Sequence, residues 1–344
     1  MVEALRAHRT APRVALVPHE VVSEGVCLIG DFILESGIRL GQVEVGYQLT
    51  GPAGAPVVAV LGGISASRFA AATTAGSRGW WGDQIGPGRA LDTDKYRVLC
   101  WDFLGGNGQT TGARSLGFEG QPFPDVTTVD QAYLLAALLD HLGIGKLHAF
   151  VGASYGGMVA LQFAACLPEL VGRLVVISAA HRSAPMAVAW RTLQRQLVEQ
   201  SLASGDGLAG LALARTLAMA TYRTPEEFSQ RFGQTTEVPS NDPDRSSVWA
   251  YLSARGAAYV EHMHPRAFLC LSRSIDLHQL LPTKISVPLQ LVAVNQDQLV
   301  PAALIEELAR AVVSPCQTLR LDSLYGHDAF LKETEFFNAL FAAL

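Results

Sequence analysis

The stretch Phe150-Val151-Gly152-Ala153-Ser154-Tyr155-Gly156-Gly157-Met158 constrains the chain more than any other. It follows a mostly apolar run, Leu147 to Val151, and precedes a helical one, Met158 to Leu167. Strand, tight turn and helix are thus compressed into a few residues, with Ser154 at the apex of a G-x-S-x-G pattern. In such an elbow the serine is strained and its hydroxyl stands above the sheet. Glycines two positions to either side let the backbones approach where a Cβ would clash. The N-terminus of the following helix lies beside any negative charge that develops there. The pattern points to a serine nucleophile, the alternative being an ordinary strand-to-helix turn.

The rest of the chain fits that elbow. Val26 to Leu34 and Val43 to Leu49 read as an antiparallel entry to a sheet. Pro56 to Leu61, Tyr96 to Phe103 and Leu174 to Ile177 read as short strands, the first and last of them buried on both faces. A helix is expected from Thr127 to Leu142, where leucines recur at helical spacing and Gly143 stops the run. Strands alternating with helices make βαβ units and a mostly parallel sheet flanked by helices, the α/β-hydrolase fold. From His181 to about Leu280 the periodicity is helical, with Thr224-Pro225-Glu226-Glu227 as one helix start. The expected organisation is an extended lead-in over 1–20, a core over 21–180 and 281–344, and an inserted helical lid over 181–280. Trp80 to Asp94 reads as loop, Pro288 to Val294 and Gln317 to Leu321 as strands, Ala302 to Val312 as a helix, and Asp328 to Leu344 as a terminal helix.

A serine hydroxyl needs a base, and the base needs an orienter. In this fold they follow in the order serine, acid, histidine. Asp297, after the strand ending at Val294, and His327, after the last strand, occupy those places; Asp322 and Asp328 are rival orienters. Two backbone N–H groups must hold an oxyanion. Tyr155 follows the nucleophile, and Ile64 lies in the loop Gly62-Gly63-Ile64-Ser65-Ala66 after Leu61.

Composition excludes several classes. Net charge is −5 over 344 residues, with no basic excess for nucleic acid. The five cysteines are scattered without a C-x-x-C pair, which favours free thiols in a reducing compartment over zinc. No apolar run has membrane-spanning length, and Met1 to Pro18 carries no apolar signal core, so the expectation is a soluble cytoplasmic protein.

Beyond the elbow, the chain resembles the acyl-CoA-dependent homoserine O-acyltransferases from about residue 40 to 335. The resemblance is carried by Trp80-Trp81 with Ile85 to Asp94, by Leu104-Gly105-Gly106 and Thr110-Thr111-Gly112, and by Ser154 to Met158. It continues through Thr221 to Phe228 with Arg231-Phe232-Gly233, through Tyr251-Leu252, Gly256, Phe268-Leu269 and Asp276, and through Gly326-His327-Asp328-Ala329-Phe330-Leu331. It implies a Ser154, Asp297, His327 triad, acyl-CoA as co-substrate with no metal or other cofactor, and a homodimer. It also implies Arg223 and Asp328 as holders of an amino-acid acceptor, L-homoserine, with the one-methylene-shorter L-serine as the alternative. A guanidinium suits the acceptor's carboxylate, and a carboxylate suits its ammonium. The Gly62 to Ala66 loop departs from the family's usual His-Ala-Leu-Thr-Gly, which puts the acyl pocket in play. Arg68, just beyond that loop, is expected to meet the distal carboxylate of a succinyl group, favouring succinyl-CoA over acetyl-CoA. A serine esterase or thioesterase is the runner-up.

Overall fold

Strands buried on both faces need apolar residues at every position, and Val57–Leu61, Ala149–Ala153 and Leu174–Ile177 have them and are buried throughout. The computed structural model describes residues 22–118, 120–233 and 247–344; the lead-in at 1–20 lies outside them. In chain order the strands are β1 (Val22–Ile33), β2 (Arg39–Thr50), β3 (Val57–Leu61), β4 (Ile85–Gly86), β5 (Leu91–Asp92), β6 (Arg97–Trp101), β7 (Ala149–Ala153), β8 (Leu174–Ile177), β9 (Leu289–Val294) and β10 (Cys316–Leu321). Eight of them form one sheet in the order β1-β2-β6-β3-β7-β8-β9-β10. The β1–β2 and β2–β6 pairs are antiparallel, and every pair from β6 to β10 is parallel. This is the mostly parallel sheet of the α/β-hydrolase fold, flanked by helices.

Helix α1 (Thr128–His141) begins where the sequence places it, because Thr127 and Asp130 cap each other reciprocally. Helix α2 (Tyr155–Cys166) starts at the elbow itself. Between β8 and β9 come α3 (Pro185–Ser204), α4 (Leu208–Tyr222), α5 (Pro225–Phe232), α6 (Ser247–Val260) and α7 (Pro265–Leu277). This inserted block holds its own apolar cluster, with Val198, Leu211, Ala214 and Phe268 from α3, α4 and α7. Thr224 caps α5 by accepting the Glu227 N–H at 3.0 Å. After β9 come α8 (Ala302–Ala311) and α9 (Thr334–Phe341).

Two expectations need correcting. The 80–94 segment is not only loop: β4 and β5 pair there. Trp81 is buried beside Phe330 and Phe341 and donates to the Phe330 carbonyl at 2.9 Å. The terminal helix does not run from Asp328. Gly326–Leu331 forms a 3₁₀ turn, and α9 starts at Thr334. Gly326 takes a left-handed φ of 55°, and the Glu333 carboxylate accepts the Ser323 hydroxyl at 2.7 Å, so the segment closes on itself instead of extending.

The loops that follow β3, β7, β8, β9 and β10 all leave the carboxyl edge of the parallel strands, where ligands bind in such sheets. The elbow's glycines meet a packing requirement there. A Cβ on Gly156 would lie 2.4 Å from the Leu61 carbonyl oxygen, and one on Gly152 would lie 2.3 Å from that of Gly156. Because the obstacle is backbone, Gly156→Ala is expected to destabilise the protein by about 1–3 kcal/mol, as overpacking does. Urea unfolding followed by circular dichroism checks this, and an unchanged midpoint contradicts it. All five cysteines are free; Cys27, Cys100 and Cys270 are buried.

Candidate active site

The turn from β7 into α2 puts Ser154 at φ 55°, ψ −122°. That left-handed conformation is costly for a residue with a Cβ. It is held by the Ser154 N–H donating to the Ile177 carbonyl at 2.9 Å and by Gly156 N–H donating to Gly62 carbonyl at 2.9 Å. The second bond also ties the loop after β3 to the elbow. A Cβ on Gly63 would stand 3.8 Å from Ser154 Oγ, so that loop's backbone passes directly beside the hydroxyl. Tyr155 N–H, the first of α2, has no carbonyl one turn back to bond, as at every helix start. With Ile64 lining the same cavity, both expected oxyanion donors border Ser154.

The structure brings Ser154, His327 and Asp297 into one chain of hydrogen bonds. His327 Nε2 lies 2.8 Å from Ser154 Oγ, and His327 Nδ1 lies 2.7 Å from Asp297 Oδ2. Asp297 Oδ1 accepts the backbone N–H groups of Leu299 at 2.8 Å and Val300 at 3.0 Å, which fixes the carboxylate plane. The rival acids are engaged elsewhere. Asp322 is exposed and accepts from Asn295 and Gln296, while Asp328 pairs with Arg223. Burial is the largest single influence on the His327 imidazole and would lower its pKa. The Asp297 charge and hydrogen bond, with the Asp328 charge, outweigh it and hold the imidazole above the usual histidine value.

Ser154 and His327 open onto a cavity of about 220 Å³, walled by Trp80, Met158, Phe268 and Phe330 and roofed by the inserted helices. Asp328, one residue past the base, lines it too. Arg223 does not. Its guanidinium sits behind Asp328, 3.2 Å from Asp328 Oδ2 and 3.2 Å from Glu227 Oε2. Arg68 is also elsewhere. Its side chain pairs with Asp102 at 2.6 Å and reaches Gln109. Asp102 is 1% exposed, and a carboxylate that deep needs the charge, so the guanidinium is turned away from the Ser154 cavity. It borders a separate surface hollow with Glu44, Thr110 and Arg114.

The cavity contains groups that sequence reasoning missed. Arg191 of α3, Arg215 and Tyr222 of α4, and Ser178 after β8 all line it. Ser178 takes φ 48°, and its buried hydroxyl has no hydrogen-bond partner among the described residues. The Tyr222 ring lies 5.7 Å from that of His327. Among the described residues, no cluster of His, Cys, Asp and Glu could hold a metal ion, and no helix is long and apolar enough to cross a membrane.

Comparison with known proteins agrees with this architecture. A family model described as alpha/beta hydrolase fold matches residues 56–334. The chain is 44% identical over 316 residues to homoserine O-succinyltransferase of Xanthomonas campestris pv. campestris, covering 90% of this chain and 82% of that one. It is 33% identical over 335 residues to homoserine O-acetyltransferase of Symbiobacterium thermophilum, covering 87% and 88%. Among solved structures, homoserine O-acetyltransferase from Bacillus anthracis superposes with a TM-score of 0.86 at 21% identity, covering 94% of this chain and 97% of that one.

Proposed function

The chain belongs to the homoserine O-acyltransferase family of the α/β-hydrolase fold, and on that premise we propose that it moves an acyl group from a CoA thioester to the hydroxyl of L-homoserine through a Ser154 ester. The observation that carries the reading is the Asp328 carboxylate lining the same cavity as Ser154, one residue from the base. A hydrolase using water has no need of a carboxylate there; an acceptor with an ammonium group does.

In the first step His327 takes the Ser154 proton, and Oγ attacks the thioester carbon. The oxyanion is received by the Tyr155 and Ile64 N–H groups. His327 returns the proton to the departing sulfur, and CoA leaves as the thiol. In the second step the acceptor hydroxyl gives its proton to His327 and attacks the ester carbonyl, and the proton passes to Ser154 as the product leaves. The kinetics are ping-pong. Asp328 receives the acceptor's ammonium, and Arg223, behind it, orients that carboxylate. Arg191 lines the same cavity as Asp328 and takes the acceptor's carboxylate. The apolar walls and helices α3 to α7 keep water from the ester, which separates transfer from hydrolysis.

The donor is a dicarboxylic thioester, succinyl-CoA. The relative at 44% identity is a succinyltransferase, and the cavity lining carries two arginines against one aspartate. L-serine is the alternative acceptor, since a single methylene alters binding by only about 1–3 kcal/mol in a pocket.

Asp328→Asn tests the acceptor site. A lost charge-assisted bond is worth about 1.5–3 kcal/mol, so KM for L-homoserine is expected to rise about 10–100-fold. The rate of Ser154 acylation by the thioester should change far less. Equal losses in the two half-reactions, measured by rapid-quench mass spectrometry, remove Asp328 from acceptor binding.

A further inference from the structure

Two cations line the Ser154 cavity, and they differ in how they are held. Arg191 is bound to Asp276 at 2.6 Å. Arg215 has no carboxylate within ion-pair distance among the described residues. Its guanidinium instead lies over two rings, 4.7 Å from the centroid of Tyr259 and 5.5 Å from that of Tyr222. Such stacking fixes the plane of the group and leaves its edge N–H donors free for an anion. Tyr259 is itself anchored, with its hydroxyl 2.9 Å from Ser65 Oγ. Burial is the main reason its phenol is pushed up to about 12, so it is a neutral hydroxyl at working pH. Ser65 follows Ile64 in the loop Gly62 to Ala66.

This chain of contacts has a direction. It runs from the oxyanion loop through Ser65 and Tyr259 to Arg215. Asp328, one residue past His327, lines the cavity next to the base. The leaving thiol and the entering hydroxyl must both meet His327, because it exchanges protons with each. The remainder of the acyl chain points away from that side. An arginine on the oxyanion-loop side, free of any acid, is placed for the far end of the acyl group.

We propose that Arg215, clamped by Tyr259 and Ser65, receives the distal carboxylate of the acyl group and so selects a dicarboxylic over a monocarboxylic donor. This rests on the reading of Ser154 as the acylated residue and of succinyl-CoA as donor. It gives the altered loop a physical role: Ser65 reaches the acyl pocket through Tyr259, whereas Arg68 is held outside it by Asp102. An acetyl group offers Arg215 nothing, and the half-buried guanidinium is then left without an anion.

The test is single-turnover acylation of the full chain, followed by intact-protein mass spectrometry with succinyl-CoA and acetyl-CoA in parallel. In Arg215→Met, which keeps an unbranched apolar stem but removes the charge, the succinyl-to-acetyl rate ratio is expected to fall about 10–100-fold. Arg215→Lys should restore part of the ratio, and Tyr259→Phe, which cuts the tie to Ser65 and keeps the ring, should lower it by a smaller factor. A ratio unchanged in Arg215→Met overturns the assignment. So does a loss confined to discharge of a preformed acetyl-enzyme by L-homoserine, which would place Arg215 at the acceptor. The donor reading is judged separately on the unaltered protein: faster acylation by acetyl-CoA than by succinyl-CoA removes it. A succinyl preference that survives Arg215→Met removes only the role of Arg215.

Discussion

Ser154→Ala is expected to lower kcat by a factor on the order of 10⁶, the size of loss seen when a serine nucleophile is removed from a triad. The size follows from the geometry. Ser154 Oγ lies 2.8 Å from His327 Nε2 and beside the Tyr155 and Ile64 backbone. Alanine retains the left-handed backbone, the cavity walls and the oxyanion donors, so acyl-CoA still binds. What disappears is the ester, and with it the exchange of label between CoA and acyl-CoA that a ping-pong enzyme catalyses without acceptor. Steady-state turnover and that exchange should vanish together. A variant that keeps the exchange contradicts the role given to Ser154.

Asp297→Asn is expected to lower kcat by about 10⁴-fold, the loss that follows when an orienting carboxylate is replaced by its amide in this kind of triad. Asp297 accepts from His327 Nδ1, which leaves Nε2 unprotonated and ready to take the Ser154 proton. An amide NH₂ facing Nδ1 reverses that tautomer and turns an N–H toward Ser154. The variant also has a pH signature. In the unaltered protein burial lowers the His327 pKa, and Asp297 more than offsets it, leaving the value raised. The base is neutral only above that pKa, so acylation rises with pH through a limb shifted upward from the ordinary histidine value. Without the Asp297 charge, burial acts with less opposition, and the limb moves to lower pH while the plateau falls. A pH profile of single-turnover acylation measures both; a reduced plateau with an unmoved limb contradicts the assignment of Asp297.

The triad was legible because each part is announced locally. The elbow is nine consecutive residues, and Asp297 and His327 stand in the loops after recognisable strands. The fold supplies the long-range geometry, since every parallel strand delivers its following loop to the same edge. Arg68 was misplaced for the opposite reason. Its partner, Asp102, lies 34 positions away and is brought beside it by the sheet. Nothing local to Arg68 shows that a buried carboxylate will claim it. The cavity's roof was equally hidden. Ser65 and Tyr259 are 194 positions apart, and Arg191 and Arg215 line the Ser154 cavity only because the fold brings α3 and α4 to it. Periodicity shows that such helices exist; it does not show which polar residue on them turns inward. Arg223 lies between these cases: the motif Thr221 to Glu227 was readable, but its place behind Asp328 follows from the Arg223 to Asp328 ion pair.

The most direct test of the central claim is intact-protein mass spectrometry after incubation with succinyl-CoA, followed by addition of L-homoserine. A single adduct of one succinyl group on Ser154 is expected. It should be stable in the absence of acceptor and be discharged on adding L-homoserine, with O-succinylhomoserine appearing in equal amount. Free CoA accumulating without acceptor, with no adduct that L-homoserine can discharge, would contradict it and make the protein a thioesterase.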